Sequence, residues 1–111
     1  MSRHSEPLHI AADHPALAGH FPGFPIVPGV VLLDETLHAI EQSQSATHEL
    51  PPWQIGTVKF HRIVRPGDKL ALSFEWRADG VVQFELHHCS TLIVSGTARR
   101  SAMIRAVEAV R

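Results

Sequence analysis

Leu70, Leu72, Phe74 and Trp76 alternate with Ala71, Ser73 and Glu75. Val82, Phe84 and Leu86 alternate with Gln83, Glu85 and His87. A period of two marks strands with one buried face. Asp79-Gly80 lies between the two runs and signals a hairpin. The runs Ile55–Val64 and Leu92–Arg99 read as further strands, and Leu8–Ala11 as a short first one. Arg65-Pro66-Gly67-Asp68 has Pro and Gly where a type II turn wants them.

One segment changes period. From Val30 to about Gln44, the residues Val30, Leu33, Leu37 and Ile40 recur at helical spacing. Val31 and Leu32 make the N-terminal half apolar nearly all round, which predicts a helix covered by a sheet or a partner. Ser43–Pro52 is polar, ends in Pro51-Pro52 and stops that helix. Asp13-His14-Pro15 suits a short helical turn, Leu17–Pro28 is irregular, and Arg100–Arg111 reads as a short tail with helical character. The order is strand, long helix, four strands. It fits an α+β fold, a single antiparallel sheet around one helix, forming one domain over residues 1–111. The second sheet face, or an edge, is left needing a partner.

Composition narrows the function. The net charge of -1 gives no reason to expect nucleic acid or an anionic membrane as partner. No apolar run approaches the ~20 residues of a membrane span. The start, Met1-Ser2-Arg3-His4-Ser5-Glu6, lacks the apolar core of a signal peptide, so a cytoplasmic protein is expected. A lone Cys89 forms no intrachain disulfide. Nine histidines are many for 111 residues, but their spacing makes no metal-ligand pattern. His87-His88-Cys89 would alternate across a strand, so no metal is expected.

The chemistry concentrates in His20-Phe-Pro-Gly-Phe-Pro-Ile-Val-Pro-Gly29 and the helix that follows. Pro22, Pro25 and Pro28 stiffen a loop able to hold His20 in place, although prolines alone read as a rigid connector. Histidine is the usual general base near neutral pH. Gly29 lets a ligand approach the backbone at a helix N-terminus, where free N–H groups favour an oxyanion; a plain capping glycine is the plainer account. Helical phase puts Asp34 at the border of the Val30/Leu33/Leu37/Ile40 stripe and Glu35 about opposite it. Asp34 is therefore the candidate acid, and Glu35 the better candidate for a solvated residue. Base, oxyanion site and acid together suit removal of a proton next to a carbonyl and loss of a hydroxyl.

These residues resemble the signature of the bacterial 3-hydroxyacyl-ACP dehydratases, the FabZ/FabA hot-dog family. Val58-Lys59-Phe60-His61-Arg62-Ile63-Val64-Arg65-Pro66-Gly67-Asp68-Lys69-Leu70 is similar to the family's strand-turn-strand after the helix. The likeness runs in outline from Leu8 to Arg99. It implies a hot-dog fold, an antiparallel sheet wrapped around one long helix, with two protomers paired edge to edge. It implies His20 of one subunit as base at C2 and Asp34 of the other as acid at the 3-hydroxyl. The backbone N–H of Gly29, with that of Val30, would polarise the thioester carbonyl, and a trans-2-enoyl thioester would leave. No cofactor is implied beyond the phosphopantetheine of acyl carrier protein, the expected partner. The second subunit would be another copy or a related hot-dog chain, with higher oligomers allowed.

The chain departs from the family at several points. Glu35 replaces a small residue, and His38 replaces a glutamine that supports the catalytic carboxylate. Tyrosine is absent altogether, and the chain is short. These departures imply a relative serving a polyketide, aryl polyene or pigment pathway rather than housekeeping fatty acid synthesis. Arg62, Arg65 and Lys69 read as a basic rim for the acidic carrier or, equally well, as a solvated charge cluster. Two further readings are a hot-dog thioesterase and a non-catalytic acyl-binding partner subunit of a heterodimer.

Overall fold

Alternation in the second half of the chain builds the sheet directly. In a computed structural model, which describes residues 3–10, 26–43 and 52–100, five strands form one antiparallel sheet. They are β1 (His4–His9), β2 (Trp53–Phe60), β3 (Lys69–Trp76), β4 (Val81–His88) and β5 (Thr91–Arg100). Their spatial order is β1-β3-β4-β5-β2, which leaves β1 and β2 as the edges. The single described helix, α1 (Gly29–Gln42), packs on one face.

Register shows how the two faces divide. Leu72, Leu86, Val94 and Phe60 are cross-strand partners in one row facing α1. Phe74, Phe84 and Gly96 form the next row, and Phe84 is fully buried. Each fully buried apolar side chain in these rows contributes roughly 1.5–3 kcal/mol relative to exposure. The opposite face carries Ser5, Ser73, Glu85, Ser95 and Lys59 in a single row. Arg3 reaches Glu85 at 3.4 Å and Glu75 at 3.7 Å across it, and His61 Nε2 lies 3.0 Å from Ser95 Oγ. A polar face of this kind needs no apolar cover, and among the described residues of the sheet the exposed large apolar side chains lie on β2 and just beyond it. Ile55 and Phe60 on that strand are 45% and 50% exposed, and Ile63 just beyond it is 67% exposed.

Turns follow their residues. Gly67 takes φ +91°, and the Asp68 N–H donates to the Arg65 carbonyl at 3.1 Å, as a type II turn requires. The Asp79-Gly80 hairpin forms with Gly80 at φ +85°. Cys89 and Ser90 connect β4 to β5 with φ of 50° and 67°, a left-handed pair without glycine.

Several boundaries differ from the sequence expectation. β1 starts at His4, because six residues pair with β3 although only Leu8 among them is buried. Pro7 is tolerated there because β1 is an edge. β2 runs Trp53–Phe60 rather than Ile55–Val64. The buried Val64 instead accepts a hydrogen bond from the Val27 N–H at 2.7 Å, which ties the chain before α1 to the segment after β2. Arg100 belongs to β5, not to a tail. The expected turn at Asp13-His14-Pro15, most of the proline loop with His20, and residues 101–111 lie outside the described residues.

Candidate active site

The helix begins at Gly29 after Pro28, which offers no side-chain cap. The N–H groups of Val31 and Leu32 both donate to the Pro28 carbonyl, at 3.0 and 3.2 Å. Those of Gly29 and Val30 are the outermost at the positive end of the helix dipole. A Cβ on Gly29 would stand 3.0–3.3 Å from three carbons of the Phe60 ring. The small size of glycine thus suits β2, whose half-exposed Phe60 ring lies against the helix start. Close approach of a ligand is not needed to explain it.

The phase of α1 corrects the sequence reading. The buried residues are Val31, Leu32, Thr36, Leu37 and Ile40, and Val30 is 71% exposed. Asp34 is exposed and Glu35 half-buried, the reverse of the expected order. The reason lies in Val30, Val31, Leu32 and Leu33, which make the first turn apolar on every side. Periodicity there could not choose which side met the sheet. Packing chose the Leu32/Thr36/Ile40 side, and the buried Thr36 hydroxyl satisfies itself on the Leu32 carbonyl at 2.7 Å. Asp34 is consequently presented outward with Val30 one turn before it and His38 one turn after it on the same face.

Asp34, Glu35, Leu37, His38 and Glu41 of α1 line a groove of about 270 Å³, and Trp53 of β2 completes it. At the far end Glu41 accepts a hydrogen bond from Trp53 Nε1 at 2.8 Å and forms an ion pair with Arg100. The Arg100 guanidinium stands 4.0 Å from the Trp53 ring centroid, and Trp76 stacks on Trp53 at 6.1 Å. Burial alone would raise the Glu41 pKa. The hydrogen bonds from Arg100 and Trp53, with the Arg100 and His38 charges, outweigh it and hold the carboxyl below its usual range.

The structure thus brings Asp34, Glu35 and His38 into one groove and places Gly29 and Val30 at the helix end one turn before Asp34. His20 lies outside the described residues. Sequence reasoning missed Glu41, Trp53 and Arg100. The spacing of Asp34, His38 and Glu41, four and then three residues apart, was a signal for Glu41. Nothing local marked Trp53 or Arg100, which are paired only through the β2–β5 register. Arg62, Arg65 and Lys69 are all exposed. Among the described residues no group of three His, Cys, Asp or Glu is placed to hold a metal ion, and no helix is long and apolar enough to cross a membrane.

Comparison with known proteins gives a consistent result. The sequence model of the ApeI-like family, described as ApeI dehydratase, matches residues 2–97. The 3-hydroxyacyl-[acyl-carrier-protein] dehydratase FabZ of Haemophilus influenzae is 36% identical over 73 residues, covering 60% of this chain and 49% of its own length. The chain therefore spans about half the length of the curated relatives it matches. Among solved structures, one from the dehydratase heterocomplex ApeI:P of Xenorhabdus doucetiae superposes with TM-score 0.71 at 21% identity, covering 89% of this chain and 93% of that one. The (R)-hydratase of A. caviae involved in PHA biosynthesis gives 0.60 at 19%, covering 87% and 91%. The fluoroacetyl-CoA thioesterase FlK gives 0.63 at 16%, covering 99% and 96%. At these identities the structural likenesses show the fold alone, the α+β hot-dog arrangement expected from the sequence.

Proposed function

This chain belongs to the ApeI-like dehydratase family, and on that premise we propose that it removes water from 3-hydroxyacyl thioesters carried on acyl carrier protein. One observation carries the reading. Asp34 faces outward from α1, one turn beyond the Gly29 and Val30 N–H groups, on a face the protein's own sheet leaves open.

In the proposed reaction the His20 imidazole of one subunit takes the proton from C2. The electron pair forms the C2–C3 double bond as the C3–O bond breaks. Asp34 of the other subunit gives its proton to the departing hydroxyl, which leaves as water. Gly29 and Val30 N–H groups hold the negative charge that develops on the thioester oxygen. Atoms balance as substrate to trans-2-enoyl thioester plus water, and no cofactor is consumed. His38 and Glu35 support the acid from the same groove.

The partner is a second hot-dog subunit, this chain's own copy or a relative, seated at the exposed β2 edge. The ApeI:P heterocomplex among the structural neighbours supports a related chain as that partner. Glu35 and His38 support a place in a specialised acyl pathway of the polyketide, aryl polyene or pigment kind.

The test incubates the protein, alone and with a co-purified partner subunit, with 3-hydroxyacyl-ACP or its pantetheine mimic. Enoyl absorbance should rise, and His20→Ala and Asp34→Asn should each lower kcat about 10²–10⁴-fold. Wild-type protein that forms no enoyl product in either state sinks the proposal. Release of free thiol would instead mark a thioesterase. Full activity of a heterocomplex lacking both side chains would mark a non-catalytic subunit.

A further inference from the structure

The groove beside Asp34 runs along the helix to an aromatic side chain held in place on three sides. It follows α1 from Asp34 to Glu41, a rise of about 10 Å over seven residues. Trp53 stands across it from the helix. Three contacts fix the indole: its N–H on Glu41 at 2.8 Å, Arg100 at 4.0 Å over one ring face, and Trp76 stacked at 6.1 Å. Such a side chain cannot swing away to admit a longer ligand without breaking a hydrogen bond, a cation–π contact and a stack together. Glu41 is paired with Arg100, so the far end of the groove presents a neutralised carboxylate beside an aromatic wall. Leu37 and the Trp53 ring supply its apolar surface, beside the ionisable side chains of Asp34, Glu35, His38 and Glu41.

We propose that Trp53 is the residue that sets acyl-chain length, closing the groove that receives the chain beyond the 3-hydroxyl carbon. Arg100 and Glu41 are positioning residues that act through the indole. The inference rests on the dehydratase reading for the identity of the chain in the groove. The geometry of the groove and its aromatic stop does not depend on it.

Wild type, Trp53→Ala, Trp53→Phe, Arg100→Gln and Arg100→Lys are compared on a homologous series of 3-hydroxyacyl pantetheine thioesters from butyryl to dodecanoyl. The dehydration rate and, by calorimetry on Asp34→Asn backgrounds, the binding constant are read for each. In Trp53→Ala the ratio of kcat/KM for long over short chains should rise about 10-fold or more, the discrimination expected of one methylene against a rigid wall. Arg100→Gln should shift the ratio the same way through KM with kcat little changed, and Arg100→Lys should restore it. A ratio that stays at the wild-type value in both Trp53 variants overturns the inference while leaving the dehydratase reading intact. If wild type makes no enoyl product, that reading fails and the binding series decides: a length optimum moved by Trp53→Ala supports the stop, and an unmoved one overturns it. Should Trp53→Ala fail to fold, Trp53→Phe, which keeps a ring but loses the Glu41 bond, carries the same comparison with a smaller shift.

Discussion

Removing the Arg100 guanidinium tests the clamp that joins the end of α1 to β2 and β5. The Arg100 side chain is 14% exposed, and Glu41 beside it 32%. A hydrogen bond to a charged group is worth about 1.5–3 kcal/mol when well buried. One-third exposure of Glu41 screens part of that, leaving about 1–2 kcal/mol for the pair. The contact of Arg100 with Trp53 adds about 0.5–1 kcal/mol. Arg100→Ala should therefore cost about 2–3 kcal/mol in urea unfolding, with the slope unchanged. A double-mutant cycle with Glu41→Gln should isolate about 1–2 kcal/mol of coupling at neutral pH. The coupling must also depend on pH in one direction. The folded Glu41 pKa is lowered from its ordinary, unfolded carboxylate value. Its contribution is therefore fully present above that unfolded value and is lost as pH falls through the lower folded one. Unfolding curves for the four proteins at neutral pH and in acid read both quantities. A coupling under about 0.3 kcal/mol at neutral pH, or one that survives strong acid undiminished, would refute the clamp.

Two further outcomes follow from the geometry. Gly29→Ala should destabilise the protein by no more than about 1 kcal/mol, because its Cβ would stand 3.0 Å from the half-exposed Phe60 ring, which can shift; Phe60→Leu in the same chain should recover part of the loss in thermal melts, and an additive loss would refute the contact. If the proposed hot-dog partner sits on the β2 side, Ile55→Lys with Ile63→Lys should reduce the assembly to the 12.3 kDa of one chain, read by light scattering; a variant that keeps the wild-type mass would exclude the β2 side as the interface.

Much of the fold was legible because a period of two has one structural solution. Leu72, Phe74, Val82, Phe84 and Leu86 could face a core in no other arrangement, and all are buried. Pro66-Gly67 and Asp79-Gly80 then fixed where the chain turned, since glycine alone takes those φ values without cost. The Cys89-Ser90 turn was invisible for the converse reason, as its residues pay for left-handed backbone that they do not prefer. The ends of β1 and β2 were hidden as well, because edge strands gain hydrogen bonds without burying alternate side chains.

The candidate chemistry divides the same way. Sequence alone placed Asp34 and Glu35 on a helix behind a Pro-Gly start, and set His38 one turn beyond the acid. Helical phase read Glu35 as the carboxylate that faces out, and the structure reverses that order, because four consecutive apolar residues at the helix start satisfy the sheet from any side. Only packing against the sheet decided that, turning Asp34 outward and Glu35 partly inward. Nor could local pattern join Glu41, Trp53 and Arg100, which are far apart along the chain and meet because β2 pairs with β5 beside the end of α1. Local residue type determines what a segment can become and which groups it carries. Which of those groups share a groove depends on long-range pairing, and that free energy resides in the assembled sheet and helix rather than in any one stretch of sequence.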